Sequence, residues 1–367
     1  MKKKYKLAVI GANEPLIPFY SQIDTNKFEI YGFAWADGAV CEKYCKKFFP
    51  ISFTDKETIL AVCKEINIDG ITSFSLESAV PTVNFVAAKL GLTCNSDKIL
   101  EWVGHKNKMR LLLERTDLPM PRSILMESGN SLTNIELPEL PLIVKPVDGG
   151  GSKGITLIQK NIDLMEAINY ALNFSRIKQV VIEEYIEGPE VSVEYISYQG
   201  KHYFIAITDK TTSGEPHFIE LEHKQPSKLP IYIQEQIKRV VEKSLTELGV
   251  TNSPSHTELK IDKKRGPIII EVGPRMGGGC ITSHLVKLST GYDFVNAACS
   301  LACNQFIRPV NLEKRLGKVL FYTPYTKENV ENIQSKDENI IYDNLSELEI
   351  NCSNNSERSG CIIIKGI

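Results

Sequence analysis

The chain has 367 residues, 42% of them hydrophobic and 24% charged, which is enough for two or three domains with buried cores. Its 43 Lys and Arg residues nearly balance its 45 Asp and Glu residues, which argues against nucleic-acid binding and against a polybasic membrane surface. No apolar run approaches the roughly 18–20 residues that a membrane-spanning helix requires.

The first hundred residues alternate between predicted strands and helices. Apolar strands are predicted at 5–11, 28–33 and 69–74, and helices at 55–67 and 81–90. This alternation is typical of a small parallel α/β domain. The lysines at 2–4 and the short apolar stretch behind them suit a first strand better than a signal peptide.

The nine cysteines are scattered and include no C-x-x-C pair. The pairs Cys41/Cys45 and Cys299/Cys303 have a spacing that could bind zinc on helix faces, but no histidine lies near the first pair. Buried, reduced thiols are the better interpretation, and they predict a cytoplasmic protein.

The rest of the chain mixes helices with several strands that pair into hairpins. Helices are predicted at 108–115, 163–174 and 231–248, and strands at 142–145, 155–158, 180–186, 190–197, 203–208, 217–221, 258–261 and 267–272. Residues 308–367 are predicted to be strand-rich with polar loops.

A glycine-rich turn at 148–154 joins two of the predicted strands. Successive glycines let backbone N–H groups converge on a polyanion without side-chain clashes. The spacing is not that of a P-loop, and an ordinary hairpin turn explains the glycines equally well. Lys145 precedes the turn in an otherwise apolar strand, where its ammonium must reach water or meet an anion.

Acidic residues follow in two places. The segment from Glu183 to Glu190 could offer backbone groups to a purine and a carboxylate to a ribose, although a solvated acidic loop is the simpler alternative.

Glu258 and Glu271 lie on a predicted hairpin that can bring both carboxylates face to face. Such a pair repels unless a hard cation lies between the two groups. Arg275 could bind a phosphate bidentately, and a surface Glu–Arg pair is the alternative.

In this order, the basic residues, the glycine-rich turn and the paired acids resemble the ATP-grasp ligases. The resemblance implies an α/β and α+β chain, with an ATP-grasp fold behind a small, parallel, Rossmann-like domain. It places the front domain at 1–100 and the small ATP-grasp subdomain with its glycine-rich lid at 101–180. The large subdomain with the metal and phosphate site would span 181–307, and a strand-rich segment at 308–367 would pack on it.

The same resemblance assigns roles to individual residues. Arg275 and Lys145 would be catalytic, and Glu258 and Glu271 would bind Mg²⁺ or Mn²⁺. The implied ATP-binding residues are Lys106 (with Lys108 as the competing choice), Lys145, Gly150, Gly151, Ser152, Gly154, Glu183, Glu184, Ile186 and Glu190. Many members carry a metal-binding Asn two residues after the second acid, where this chain has Gly273.

The implied activity is the ATP-dependent joining of a carboxylate to an amine or thiol through an acyl phosphate, with release of ADP and phosphate. Residues 216–223 and 275–279 are similar to the L-amino-acid ligases that make dipeptides, which favours an amino acid or a similar small carboxylate. The weaker substrate-site candidates are Glu220, His223, Gly278 and His284. Three alternatives stay open, namely carboxyphosphate or carbamoyl-phosphate chemistry of the biotin carboxylase kind, a purine-biosynthesis enzyme, and nucleotide binding without turnover. The expected partners are small molecules rather than nucleic acid or membrane, and homodimerisation is left open.

Overall fold

A computed structural model describes residues 3–129, 135–160, 164–336 and 339–366. These residues form one parallel and two antiparallel β-sheets with helices packed on them, which confirms the predicted mixture of α/β and α+β structure. None of the helices in these ranges has the length and apolar character needed to cross a membrane.

The front unit is the parallel sheet with its helices. Its elements, in chain order, are β1 (Tyr5–Ile10), α1 (Ile17–Tyr20), β2 (Phe28–Phe33), β3 (Lys47–Phe49), α2 (Lys56–Ile66), β4 (Gly70–Ser73) and α3 (Val80–Leu90). The strand order is β3-β2-β1-β4, and every pair is parallel. Ile59 and Cys63 of α2 and Val86 of α3 pack on Ala8 and Ile71 of the sheet. The predicted parallel arrangement therefore forms, with β3 as a short strand that the sequence pattern did not reveal.

The small sheet carries the glycine-rich turn. Its elements are α4 (Lys106–Leu113), β5 (Ser123–Glu127), β6 (Leu142–Pro146), β7 (Thr156–Ile158), α5 (Leu164–Phe174) and β8 (Gln179–Glu184). The strands are antiparallel in the order β5-β8-β6-β7, and Leu142 pairs with Ile158 across the predicted hairpin. The predicted helix start at Asp163 lies outside the described residues, and residue 180, a predicted domain boundary, lies within β8.

The large sheet has eight antiparallel strands in the order β13-β12-β9-β10-β11-β14-β16-β15. The remaining elements are β9 (Glu190–Tyr198), β10 (Lys201–Thr212), β11 (Glu220–Gln225), α6 (Ile231–Glu247), β12 (Pro254–Asp262), β13 (Gly266–Gly273), α7 (Val286–Thr290), α8 (Phe294–Ala302), β14 (Gly317–Phe321), α9 (Lys327–Lys336), β15 (Ile340–Asp343) and β16 (Cys361–Lys365). The C-terminal strands thus continue the large sheet.

The strand predicted at 217–221 is wrong in its position. Residues 214–218 instead form a turn, in which Phe218 N donates to the Gly214 carbonyl at 2.8 Å, and the strand starts at Glu220. Because of this shift, Glu220 is the first residue of the strand and His223 lies in its middle.

Two contacts hold the small sheet against the large one. Gly188 lies in the connection from β8 to β9, and a Cβ on it would collide with the Ile261 carbonyl, so glycine is required there. From the first helix of the small-sheet unit, Arg110 donates to the carbonyls of Ile269 and Ile270 on β13. The two sheets therefore meet along one edge and enclose a cleft.

Candidate active site

Two adjoining cavities occupy the cleft. The first cavity has a volume of about 170 Å³ and the second, which extends to the front unit, about 490 Å³. Lys106, Glu220, Glu258, Glu271 and Asn355 line both cavities, so the two share one charged wall.

A buried cluster of charges centres on Glu183 in the first cavity. Lys145 Nζ on β6 lies 2.6 Å from Glu183 Oε2 on the neighbouring β8. Arg110 donates to both oxygens of the same carboxylate, at 2.9 and 3.3 Å. Burial alone raises the pKa of Glu183, but Arg110 and Lys145 outweigh that effect and hold it at about 2. Lys145 is only 6% exposed, so its ammonium meets an anion of the protein instead of reaching water.

Lys106 begins α4 and points into the same cleft. Its Nζ donates to the Gly149 carbonyl at 2.6 Å and lies 3.2 Å from Glu271 Oε1. Burial lowers the pKa of Lys106, but Glu271 and Glu77 reverse the shift and raise it. The competing choice, Lys108, lines neither cavity. The structure thus brings Lys106, and not Lys108, into the two cavities.

Glu258 and Glu271 lie directly opposite each other in the register of β12 and β13. Glu271 approaches Lys106, while Glu258 Oε1 lies 2.7 Å from Lys210 Nζ. Burial alone raises the pKa of Glu258, but Lys210 and His256 lower it below its ordinary value. The two carboxylates therefore lie side by side, in the arrangement predicted from the hairpin.

Lys210 on β10 gathers three carboxylates. Its Nζ lies 2.8 Å from Glu190, 2.9 Å from Glu220 and 2.7 Å from Glu258, and its side chain is 3% exposed. Burial lowers the pKa of Lys210, but these three carboxylates raise it well above its ordinary value. Lys210 is therefore held as a cation in the wall of the first cavity.

The glycine-rich turn forms one side of the first cavity. Gly150, Gly151 and Ser152 line it, and Ser152 Oγ donates to the Phe218 carbonyl at 3.1 Å. Gly151 and Ser152 both have positive φ, of 67° and 63°. Gly154 does not line this cavity. A Cβ on it would clash with Phe174 and Pro146. Its glycine is thus explained by packing rather than by contact with the cavity.

The segment after β8 closes the opposite side of the first cavity. Ile186 is 3% exposed and lines this cavity together with Glu184 and Glu190. Glu184 pairs with Arg265, with Nη2 and Oε1 2.6 Å apart, so its side chain is engaged at the rim. The apolar Ile186 beside these acids gives the cavity a surface suited to a flat ring.

The second cavity contains the other predicted residues except one. Arg275 Nη2 lies 3.3 Å from Glu77 Oε2, and Arg275 Nε is buried without a hydrogen-bond partner among the described residues. Gly278 lines the same cavity, as do Glu220 and His223. His284 lies beside the Tyr342 ring, 4.5 Å between centroids, and lines neither cavity. The structure therefore does not bring His284 to the site.

Glu258 and Glu271 could bind a divalent cation only when a ligand fills the remaining coordination positions of the metal. Mg²⁺ usually takes one or two carboxylates and fills its other positions with waters and substrate phosphates, which matches Glu258 and Glu271. In the described ranges no group of three or more His, Cys, Asp or Glu side chains could hold a metal by itself. At Gly273, a Cβ would lie 3.1 Å from Glu77 Oε2, so a front-unit carboxylate occupies the space beside this glycine.

Several residues of the site escaped the sequence analysis. They are Glu77, Lys210, His256, Asn355 and Arg358, all of which line one or both cavities, and Arg110, which anchors Glu183. Arg110 follows Lys106 by one helical turn, and that spacing is the one local signal that could have indicated it. His256 lies two residues before Glu258 on β12, and the other four come from strands and loops distant in sequence from the predicted site residues.

Residues 138–283 match the model of a family described as "ATP-grasp domain". Among solved structures, the L-amino acid ligase from Bacillus licheniformis gives a TM-score of 0.78 at 23% identity, covering 100% of this chain and 94% of the other. Phosphoribosylglycinamide synthetase from Anaerococcus prevotii gives 0.75 at 19% identity, covering 99% and 94%. These likenesses confirm the predicted ATP-grasp fold behind a parallel front domain.

Curated proteins with similar sequences include an alanine–anticapsin ligase and a carnosine synthase. An alanine–anticapsin ligase from Bacillus subtilis (strain 168) is 27% identical over 279 residues, 67% of this chain and 56% of that protein. Human carnosine synthase 1 is 24% identical over 277 residues, 68% of this chain and 32% of that protein. An uncharacterized Sinorhizobium fredii protein is 27% identical over 70% of this chain and 52% of its own length. The matched region thus spans about half or less of these relatives.

Proposed function

We propose that this chain, which contains an ATP-grasp domain, is an ATP-dependent carboxylate–amine ligase acting on an amino acid or a similar small carboxylate. The observation that carries the proposal is the pairing of Glu258 with Glu271 beside Lys106, at the junction of two cavities. The first cavity offers a nucleotide site, and the second offers room for two small polar substrates. The similarity to alanine–anticapsin ligase supports an amino-acid substrate.

In the proposed reaction, a donor carboxylate oxygen attacks the γ-phosphorus of ATP, and the bond to the β-phosphate oxygen breaks with release of ADP. The amine of the acceptor then attacks the acyl-phosphate carbon, an amide bond forms and phosphate leaves. The acceptor ammonium gives up two protons in all, one leaving with hydrogen phosphate and one going to solvent. No covalent bond to the protein is needed.

Charge stabilisation would supply most of the rate enhancement in such a transfer. Lys106 and Lys145 bring positive charge to the glycine-rich turn, where the phosphates would lie. Arg275 lies at the second cavity, where the transferred phosphate would meet the donor carboxylate. Glu258 and Glu271 would hold Mg²⁺ or Mn²⁺, which would neutralise part of the phosphate charge when bound.

The experiment that tests the proposal is a screen for ADP release. The protein is incubated with ATP, Mg²⁺ and pairs of the twenty common amino acids, and a parallel set contains hydroxylamine in place of the acceptor. Amino-acid-dependent ADP release together with hydroxamate formation is the expected result, because hydroxylamine captures an acyl phosphate directly. ATP binding without either product would contradict the proposal, and ADP release that depends on bicarbonate alone would assign the carboxyphosphate alternative.

A further inference from the structure

The C-terminal loop (residues 351–360) reaches from the far side of the large sheet into the second cavity. Asn355 is its point of attachment, because its N–H donates to the Gly151 carbonyl at 3.2 Å and its Oδ1 accepts from Glu220 N at 2.9 Å. The loop is also braced internally, since the Glu357 carboxylate accepts from Ser353 and Asn354. The loop therefore forms a built wall that joins the glycine-rich turn to β11.

Arg358 is the basic side chain of this wall. Its Nη1 donates to Glu220 Oε2 at 2.9 Å, its Nε donates to the Asn355 carbonyl at 2.9 Å, and its guanidinium carbon lies 3.7 Å from the Phe321 ring centroid. The side chain is 14% exposed. Within the described part of the chain, Nη2 makes no hydrogen bond. The stacked, anchored guanidinium thus keeps a donor for a ligand.

Arg358 lies outside the first cavity, which is the proposed nucleotide site. It lines the second cavity and not the first, whereas Glu220, to which it is bonded, lines both. The two other arginines of the second cavity have different surroundings. Arg275 pairs with Glu77, and Arg176 is 68% exposed and pairs with Asp148. Arg358 is therefore the arginine of the second cavity that is anchored to the C-terminal loop and to β11, whereas Arg275 is anchored to the front unit.

We propose that Arg358 binds the carboxylate of the amino acid that acts as the nucleophile, and so makes the enzyme select amino acids over amines that lack this group. This inference rests on the proposed function, because it presumes an amine acceptor in the second cavity. An acceptor amino acid keeps its own carboxylate throughout the reaction, and a planar guanidinium is the side chain that best matches a carboxylate. The contact to Glu220 would hold the acceptor at the boundary between the two cavities.

The test compares wild type with Arg358→Gln, using the best acceptor found in the amino-acid screen and the amide of the same amino acid. In the variant, KM for the amino acid should rise by about 10- to 100-fold, since a charged hydrogen bond is lost. KM for the amide should change by less than about twofold, as should hydroxamate formation, which needs no carboxylate on the acceptor. Arg315→Gln, which removes an exposed arginine paired with Glu313, is the matched control and should change none of these values.

Arg358→Lys keeps the charge without the planar fork and should give an intermediate KM, so the inference stays testable if Arg358→Gln folds poorly. Equal losses with the amino acid, the amide and hydroxylamine would show a purely structural role and overturn the inference. An unchanged preference for the amino acid over its amide would overturn it as well. Failure of wild type to form any hydroxamate would refute the proposed function itself, and this inference with it.

Discussion

Lys145 and Glu183 form a buried ion pair across neighbouring strands, with Nζ 2.6 Å from Oε2. Because Arg110 binds the same carboxylate, two cations share one anion at the edge of the first cavity. The cluster thus keeps one positive charge in excess. An excess positive charge that is held by buried side chains suits a site for phosphate groups.

The first prediction concerns the stability of this cluster. Glu183→Gln leaves Lys145 and Arg110 buried without their counter-charge, so the free energy of unfolding should fall by about 3–5 kcal/mol, as measured by urea denaturation. Glu184→Gln is the neighbouring control, because Glu184 pairs with a partly exposed Arg265 and its loss should cost less than about 1 kcal/mol. Equal effects of both substitutions would show that the cluster does not stabilise the fold.

The same carboxylate predicts a pH dependence. The pKa of Glu183 is about 2 in the folded protein, against an ordinary value of 4.5, so its contribution is complete above about pH 4.5 and is lost as the pH falls toward 2. The difference in free energy of unfolding between wild type and Glu183→Gln should therefore shrink by about 3 kcal/mol over that range. Urea titrations at several pH values measure it, and a difference independent of pH would contradict the assignment.

Lys210 gives a prediction that the sequence did not suggest. Lys210→Met leaves three carboxylates, Glu190, Glu220 and Glu258, facing one another without their shared cation. The free energy of unfolding should fall by about 3 kcal/mol or more. The control is Lys318→Met, which breaks a partly exposed pair with Glu222 and should cost less than about 1 kcal/mol. Similar stability of the two variants would show that Lys210 does not stabilise the fold through its three carboxylates.

Lys145→Ala should abolish catalysis without unfolding the chain. Arg110 continues to neutralise Glu183 in this variant, so the chain should stay folded, with a melting curve that remains cooperative. ADP formation should nevertheless be abolished, since one of the two lysines that bring positive charge to the glycine-rich turn is gone. Near-normal ADP formation by the folded variant would remove Lys145 from the predicted phosphate site.

Much of the architecture was predictable because it depends on local patterns. The strands of the front unit and the hairpin that carries Glu258 and Glu271 follow from short apolar runs between turn residues, and they form as expected. The strand predicted at 217–221 failed because a turn at 214–218 delays its start, and apolar content alone did not show that turn.

The site was only partly predictable, for a related physical reason. Residues marked by an unusual local context, such as Lys145 in its apolar strand, could be identified from the sequence. Lys210 and Arg358 could not, because each becomes distinctive only through partners from distant strands and loops. His284 was predicted because it lies close in sequence to the glycines at 277–279. It does not line the second cavity and lies instead beside Tyr342.

In the proposed function, Glu258 and Glu271, paired across a hairpin, form a magnesium-dependent phosphoryl-transfer site. The measurement is Mg²⁺-dependent ADP release by wild type and by Glu271→Gln, with Glu222→Gln, which removes a partly exposed carboxylate of β11 that pairs with Lys318, as control. Wild type and control should release ADP, stop when EDTA removes the metal, and resume with Mg²⁺, while Glu271→Gln should be slower by roughly 100-fold or more yet equally folded. Release of ADP by Glu271→Gln at near the wild-type rate would contradict the account.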